Sequence, residues 1–319
     1  MAPPLKAAVV GVGYLGRFHA QKYAALPDCE LVAVVDANAA RAREVGAELG
    51  VPAETDLAAV LTGVDLVSIA ATTATHHALG LRCLEAGKHV LMEKPLAATA
   101  ADAAALVEAA RTHGVLLQVG HLERFNPAFQ AVRERVRRVQ FIEAIRISSF
   151  LGRGSDVDVV LDLMSHDLDL VLSLVDSPLA DLHAVGISLM TPSTDLANVR
   201  LHFENGATAN LTASRMSTKA ERTMRIFQPD AYLAIDFATP AARIYTPRAD
   251  AISGAAPGEA IFQEQAFAPP KGDALLAEIE SFLAVIRQGG RPVCSGDDGL
   301  RTVACAERVI QAIARHRLP

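Results

Sequence analysis

Ala7-Ala8-Val9-Val10-Gly11-Val12-Gly13-Tyr14-Leu15-Gly16 begins six residues into the 319-residue chain. Lys6 to Val10 carries the near-continuous apolar run of a strand buried on both faces, and Leu15 to Ala25 carries the pattern of a helix. Between them Gly11, Gly13 and Gly16 form a GxGxxG. In that motif the first glycine permits a tight turn and the second lets backbone approach a pyrophosphate. The third allows close packing of helix on strand, and the helix N-terminus adds partial positive charge. By itself the motif is weak. Here it sits at the first strand, and Asp36 lies twenty residues beyond Gly16, at the end of a second predicted strand, Leu31 to Val35. A carboxylate there accepts hydrogen bonds from a ribose diol. The alternative is a tight turn followed by an ordinary surface aspartate; the combined context favours a dinucleotide site, lined by Gly11, Gly13, Tyr14, Leu15, Gly16 and Asp36. Asp36 repels a 2′-phosphate, and Ala37 and Asn38 follow it instead of an arginine, so NAD is preferred over NADP. Arg41 and Arg43 are the cations that bear on that choice; their other reading is as solvated charges on a helix face.

Outward from this stretch, strands and helices alternate. Helix Ala37 to Leu49 is followed by strand Asp65 to Ala70, helix Thr75 to Ala86, strand His89 to Met92, helix Thr99 to His113 and strand Val115 to Val119. Gly87 and Gly114 mark two helix ends. Such alternation implies right-handed crossovers and a parallel sheet covered on both faces. After Gly120 the pattern changes. A basic helix from Pro127 to Arg138 leads to a strand around Phe141 to Phe150, and a Gly152-Arg153-Gly154 break precedes a helix from about Val157 to Leu174. Strand-like runs then follow one another to Tyr245, with Asn205-Gly206 as a hairpin signal. Consecutive hairpins predict a mainly antiparallel sheet. Ala249 to Gly272 reads as a loop or excursion, and helices near Ala274 to Ile286 and Asp298 to Arg315 end the chain. The expected fold is α/β: a doubly wound Rossmann domain over 1–120, and an α+β domain with a large open sheet over 121–319.

Composition closes off other classes. There are 30 Lys+Arg against 36 Asp+Glu, a net charge of −6, with 51% apolar residues and no Trp. That balance offers no bulk field for nucleic acid, and the few aromatics give no stacking platform for single strands. No stretch has the length and apolarity of a membrane span. Cys29, Cys83, Cys294 and Cys305 form no CxxC pair, and the N-terminus lacks a basic, apolar and cleavage-site order, so a reduced cytoplasmic protein is expected.

Two constellations carry chemistry. Glu93-Lys94-Pro95 stands at the end of the fourth predicted strand, the sheet edge where doubly wound folds bind ligands. Lys94 either bonds a substrate hydroxyl and takes part in proton transfer or is a surface lysine at a strand end. Asp162 and His166 lie four apart on one predicted helix face, with Asp169 three further on. Histidine is the usual acid-base group near neutrality, and a carboxylate at this spacing orients it or holds a substrate hydroxyl. A solvated acidic helix face is the other reading. No third ligand for a metal is evident, and none is expected.

Together these motifs resemble the Gfo/Idh/MocA family of NAD(P)-dependent sugar oxidoreductases, and the likeness reaches the tail, Glu278 to Leu283, Pro292 and Ser295-Gly296-Asp297-Asp298-Gly299. The resemblance implies Lys94 and His166 as the catalytic pair, Asp162 in the same pocket, and Glu93 with the loop containing Thr72, Thr73 and His76 along the cofactor. Gly120 to Pro127 and Asp156 to Leu170 are similar to the branch that oxidises the C3 hydroxyl of UDP-N-acetylglucosamine. That implies a nucleotide-sugar substrate. Arg124 and Asn126 are then placed to contact sugar or phosphate, with Arg153 as a clamp on the diphosphate; structural ion pairs are the other reading of both arginines. Two alternatives stay open: another sugar or cyclitol dehydrogenase of the family, and an NAD-sensing regulator without turnover. Val199, Leu201 and Phe203 suggest an apolar sheet face that pairs with a copy of itself, giving a dimer or tetramer.

Overall fold

The computed structural model describes residues 3–149, 158–248, 261–270 and 272–315. The chain divides into two compact units, Met1–Leu122 with Leu275–Ala304, and Glu123–Ala274 with Cys305–Pro319. The boundary expected at 120 therefore falls at 122, and part of the tail assigned to the second domain returns to the first. The returning segment is amphipathic, and Leu275, Ile279, Phe282 and Leu283 are buried in one cluster with Ala7, Val9 and Leu31. A parallel sheet needs both faces covered, and this stripe supplies part of that cover.

In the first unit the elements are β1 (Leu5–Val10), α1 (Tyr14–Ala25), β2 (Cys29–Val35), α2 (Ala39–Leu49), β3 (Ala53–Glu54), α3 (Ala58–Leu61), β4 (Leu66–Ile69), α4 (Thr73–Glu85), β5 (His89–Glu93), α5 (Ala100–Thr112) and β6 (Leu117–Gly120). Only β3 and α3 were unexpected; both are too short for periodicity to register. The six strands pair in parallel in the order β3-β2-β1-β4-β5-β6. Strand order reverses between β1 and β4, so a crevice opens beyond their C-terminal ends. The helices that frame it are capped by sequence: Asn38 accepts from the N–H groups of Ala40 and Arg41 at the start of α2, and Thr99 accepts from Asp102 at the start of α5.

The second unit begins with α6 (Pro127–Arg133), whose N-cap is Asn126, and β7 (Phe141–Ile147). A π-helical turn, Val160–Met164, runs into α7 (Ser165–Leu174). Strands β8 (Leu179–Ile187), β9 (Leu196–Phe203), β10 (Thr208–Ser214), β11 (Glu221–Gln228), β12 (Ala231–Asp236), β13 (Ala241–Pro247) and β14 (Phe262–Phe267) follow; after them come α8 (Ala274–Gln288), which belongs to the first unit from Leu275 on, and α9 (Gly296–Arg315), which passes from the first unit to the second after Ala304. The eight strands form one sheet, β14-β13-β12-β11-β7-β10-β9-β8. Every pairing is antiparallel except β7 with β10 at the centre. The hairpin reading missed that pair because β7 is separated from β10 by the α7 segment, a crossover of the kind parallel strands require. β14 corrects the loop expected over 249–272: its Phe-Gln-Glu-Gln-Ala-Phe sequence is an exposed edge strand, held through backbone pairing with β13, and lacks apolar alternation.

The apolar face expected to be exposed is instead the covered one. Val199, Leu201 and Phe203 are buried with Leu168, Val171 and Val309. Alternation specified a buried side correctly but did not say what covers it. The opposite face presents Asn198 and Arg200 on β9, and a row of rings across five strands, Phe141, Phe227, Tyr232, Tyr245 and Phe262, with successive centroids 5.7, 4.9, 5.0 and 6.5 Å apart. All four cysteines are buried free thiols, and burial pushes Cys29 and Cys83 up to about 12. Among the described residues no helix is long and apolar enough to cross a membrane.

Candidate active site

In the first unit the crevice holds a cavity of about 480 Å³, lined among others by Gly11, Gly13, Asp36, Thr72 and Thr75. Its glycines have the three roles read from the motif. Gly11 has φ +80°, and a Cβ there would stand 2.6 Å from the backbone of Ala71. A Cβ on Gly16 would fall on the carbonyl oxygen of Gly11, so only hydrogen lets α1 lie this close to β1. A Cβ on Gly13 would meet nothing within 4 Å. That open side lies at the N-cap of α1, whose first N–H groups have no side-chain cap, which is the setting a pyrophosphate uses.

Asp36 holds the glycine loop. Its Oδ2 accepts from the Val12 N–H at 2.9 Å and its Oδ1 from the Asn38 N–H at 2.9 Å. Each oxygen keeps a lone pair for a diol. Arg41, weighed above as a partner for a 2′-phosphate, donates from Nε to the Val12 carbonyl at 2.6 Å and from Nη2 to the Gly13 carbonyl at 3.1 Å, with Nη1 on Glu44. Arg43 donates to Ala39 of its own helix. Both cations are thus engaged within the protein, which leaves the Asp36 carboxylate as the acceptor suited to the diol of NAD. Tyr14 is exposed and packs edge-on against Phe18. Leu15 is half-buried in the first turn of α1, and Thr73 opens α4.

Glu93 and His76, expected along the cofactor, have their hydrogen bonds within the protein. Both are buried, and their polar atoms turn to the protein. Glu93 Oε1 lies 3.0 Å from His19 Nε2, and Oε2 accepts from the Lys94 N–H at 3.1 Å. His76 places Nδ1 2.9 Å from the Pro95 carbonyl and Nε2 3.1 Å from the Ala71 carbonyl. A buried carboxylate without partners is costly, so an inward bond outweighs exposure to a ligand. The Lys94–Pro95 peptide is cis. In the run Leu91 to Ala97, Lys94 alone is not buried.

The second unit repeats that pattern on a helix. From Met164 to Leu172 every residue is buried except His166. Asp162 is also half-buried and lies in the π-helical turn one turn earlier; such turns recur at functional sites. The buried carboxylates of α7 anchor this helix. Asp167 takes both Nε and Nη2 of Arg146 at 2.9 Å, and Arg146 Nη1 donates to Glu123 at 2.8 Å. Burial pushes the Asp167 carboxyl up, against the pull of Arg146. Asp169 takes a two-point bond from Arg124 at 2.7 Å for each contact. Arg124 is therefore a buried structural cation and not a surface contact for sugar. Asn126 is likewise committed: it caps α6 by accepting from the Ala128 N–H and donates to Glu123 and the Phe237 carbonyl. Arg153 lies outside the described residues. His19, Ser68, Arg146 and Asp167 were not singled out as site residues from the sequence; His19 stands three past Gly16 on a helix face that continues to the buried Tyr23, a signal visible only as core periodicity.

Residues 5–121 match the oxidoreductase family described as an NAD-binding Rossmann fold, and residues 144–233 match the Gfo/Idh/MocA C-terminal domain. The chain is 42% identical over 311 residues to UDP-N-acetylglucosamine 3-dehydrogenase of Acidithiobacillus ferrooxidans, covering 97% of each chain. It is 29% identical to D-apiose dehydrogenase of Paraburkholderia graminis, covering 95% of this chain and 86% of that one. A solved structure of the Acidithiobacillus enzyme aligns with a TM-score of 0.91 at 39% identity, covering 98% of this chain and 99% of the other. An Agrobacterium radiobacter oxidoreductase in complex with NAD+, L-tartaric acid and magnesium shares the fold, with a TM-score of 0.85 at 21% identity over 98% and 97% of the two chains.

Proposed function

Because this chain belongs to the Gfo/Idh/MocA family of NAD-binding oxidoreductases, we propose that it oxidises the C3 hydroxyl of UDP-N-acetylglucosamine to a ketone. The observation that carries the reading is the 42% identity sustained over 97% of both chains with an enzyme of that name. Bound NAD supplies the hydride acceptor. The chain's own residues do the rest. Gly13 and the N-terminus of α1 receive the pyrophosphate, and Asp36 receives the adenosine ribose. His166 takes the proton of the sugar hydroxyl as general base, and Lys94 donates a hydrogen bond to the oxygen as negative charge develops on it. Asp162 holds a neighbouring hydroxyl. In support, Lys94 and His166 are each the one residue left uncovered in an otherwise buried run, as a group must be if it is to meet a ligand from a fixed backbone.

NADH formation at 340 nm with UDP-N-acetylglucosamine, free hexoses and inositol tests the substrate. Turnover of the nucleotide sugar in clear excess over the others is expected; equal or greater turnover of inositol would sink the reading. His166→Ala and Lys94→Ala are each expected to lower kcat by about a hundredfold or more, with NAD binding by calorimetry unchanged. The open face of the eight-stranded sheet, with its row of rings, is assigned to self-association in a dimer or tetramer. Four free thiols accord with a reduced cytoplasmic setting.

A further inference from the structure

Two buried histidines of the first unit reach the Lys94-Pro95 segment, one through the Glu93 side chain and one directly at the Pro95 carbonyl, and neither is accounted for by cofactor binding. On one side a chain of hydrogen bonds crosses three elements. Ser68 on β4 lies 2.8 Å from His19 Nδ1 on α1, and His19 Nε2 lies 3.0 Å from Glu93 Oε1 on β5. The Lys94 N–H then donates to Glu93 Oε2 at 3.1 Å. Ser68 and His19 are fully buried and Glu93 is 5% exposed. A carboxylate only accepts, so Nε2 carries the proton of the central bond and Nδ1 faces the serine hydroxyl. The Glu93 carboxylate packs closely against Gly120, where a Cβ would lie 2.9 Å from it. On the other side His76 Nδ1 meets the Pro95 carbonyl. On these contacts, we propose that His19 is a positioning residue acting through Glu93, fixing the backbone from which Lys94 projects and tying it to the glycine-loop helix, with His76 holding the other end of the segment.

This rests on the reading of Lys94 as the group that meets substrate oxygen. A side chain of four carbons on an unheld backbone loses the alignment on which transfer depends, and misplacement of about 1 Å costs up to roughly a hundredfold in rate. Two isosteric variants separate the bonds. In His19→Gln the amide nitrogen reaches the place of Nε2 and keeps the bond to Glu93; in His19→Asn the amide reaches only the place of Nδ1 and leaves Glu93 unheld. Hydrogen exchange at the Lys94 amide, followed by mass spectrometry of the full-length protein, reads the grip without turnover. We expect His19→Gln, which keeps the Glu93 bond but also gives up the Ser68 contact, to stay within about threefold of wild-type protection at Lys94 and to keep kcat within about twofold. His19→Asn should exchange at Lys94 about tenfold faster and lose about ten- to a hundredfold in kcat, at unchanged KM for NAD. Equal behaviour of the two variants, or a loss confined to KM for NAD, overturns the proposal. If His19→Asn fails to fold, Ser68→Ala removes only the far partner; about threefold faster exchange at Lys94 is expected, and wild-type exchange there overturns it. Absence of turnover in the unsubstituted protein strikes at the proposed substrate and the role of Lys94, while the amide measurement still decides the grip.

Discussion

The first unit covers its parallel sheet on both faces; in the second, the described helices cover one face of the large sheet. The consequences differ. In the first, no strand surface is left for a ligand, so Gly11, Asp36 and Lys94 all sit where strands end. In the second, charge is carried beneath the sheet's helical layer, as the Asp167–Arg146–Glu123 and Asp169–Arg124 contacts under α7, and a whole face remains for other use. Arg146→Met tests whether buried charge matters as much as this contrast implies. It leaves Asp167 and Glu123 without their cation in a largely buried site. A loss of about 3–5 kcal/mol from the second unit is expected, read by urea unfolding. Retention of wild-type stability would mean that the ion pairs are incidental to holding α7.

The matching test in the first unit is smaller, because Asp36 is only half-buried. Asp36→Ala removes a hydrogen-bonded carboxylate worth about 1.5–3 kcal/mol to a diol, so KM for NAD should rise by about ten- to a hundredfold. The repulsion of a 2′-phosphate disappears with it, and the NAD to NADP ratio of kcat/KM should fall further than either value alone. An unchanged ratio would detach cofactor choice from this residue. On the open face of the second unit, Tyr232→Asp places a charge in the middle of the ring row without touching the core. A shift to a smaller species in sedimentation, with the circular dichroism spectrum kept, is expected; an unaltered assembly would move self-association to another surface.

Sequence legibility followed distance along the chain. GxGxxG, Asp36 and the capping residues Asn38 and Thr99 act within a few residues of themselves, or at a spacing the motif prescribes, and the parallel domain was readable nearly to its boundaries. The partners that decide the fate of buried polar groups are far away. Arg124 meets Asp169 across 45 positions and His19 meets Glu93 across 74, so a sequence shows the charged residue and not the bond that consumes it. The bonds that commit Arg124, Asn126, Glu93 and His76 within the protein stay out of sight for that reason. The direction of the β9 face was misread for a related one: alternation sets Val199, Leu201 and Phe203 on one side, but the cover comes from α7 and the end of α9, over a hundred residues after β9 for the latter. The central β7–β10 pair and the edge strand β14 were invisible on the same grounds, since neither is a hairpin with apolar alternation on both arms.

Asp195 offers the finest test of whether buried charge in the second unit is held by specific bonds. It is fully buried, which alone would push its carboxyl up. Against burial stand the N–H groups of Leu189, Met190 and Thr191 at 2.8, 2.6 and 3.0 Å and the Thr191 hydroxyl at 2.7 Å. These donors win, and the carboxyl is held down at about 2. A depressed folded value means that the unfolded chain takes up the proton first as pH falls. The contribution of Asp195 to stability is therefore full above about pH 4, the ordinary aspartate range, and is lost between there and about 2. Unfolding measured across that interval should show a steeper loss for the wild type than for Asp195→Asn, which has no proton to gain. The variant should also start from a lower value at neutral pH, because an amide places an N–H where a donor already points. Parallel pH slopes for the two proteins would show that the ionised carboxylate, which Arg215 Nε also approaches at 3.8 Å, is not what holds the loop of Leu189 to Thr191.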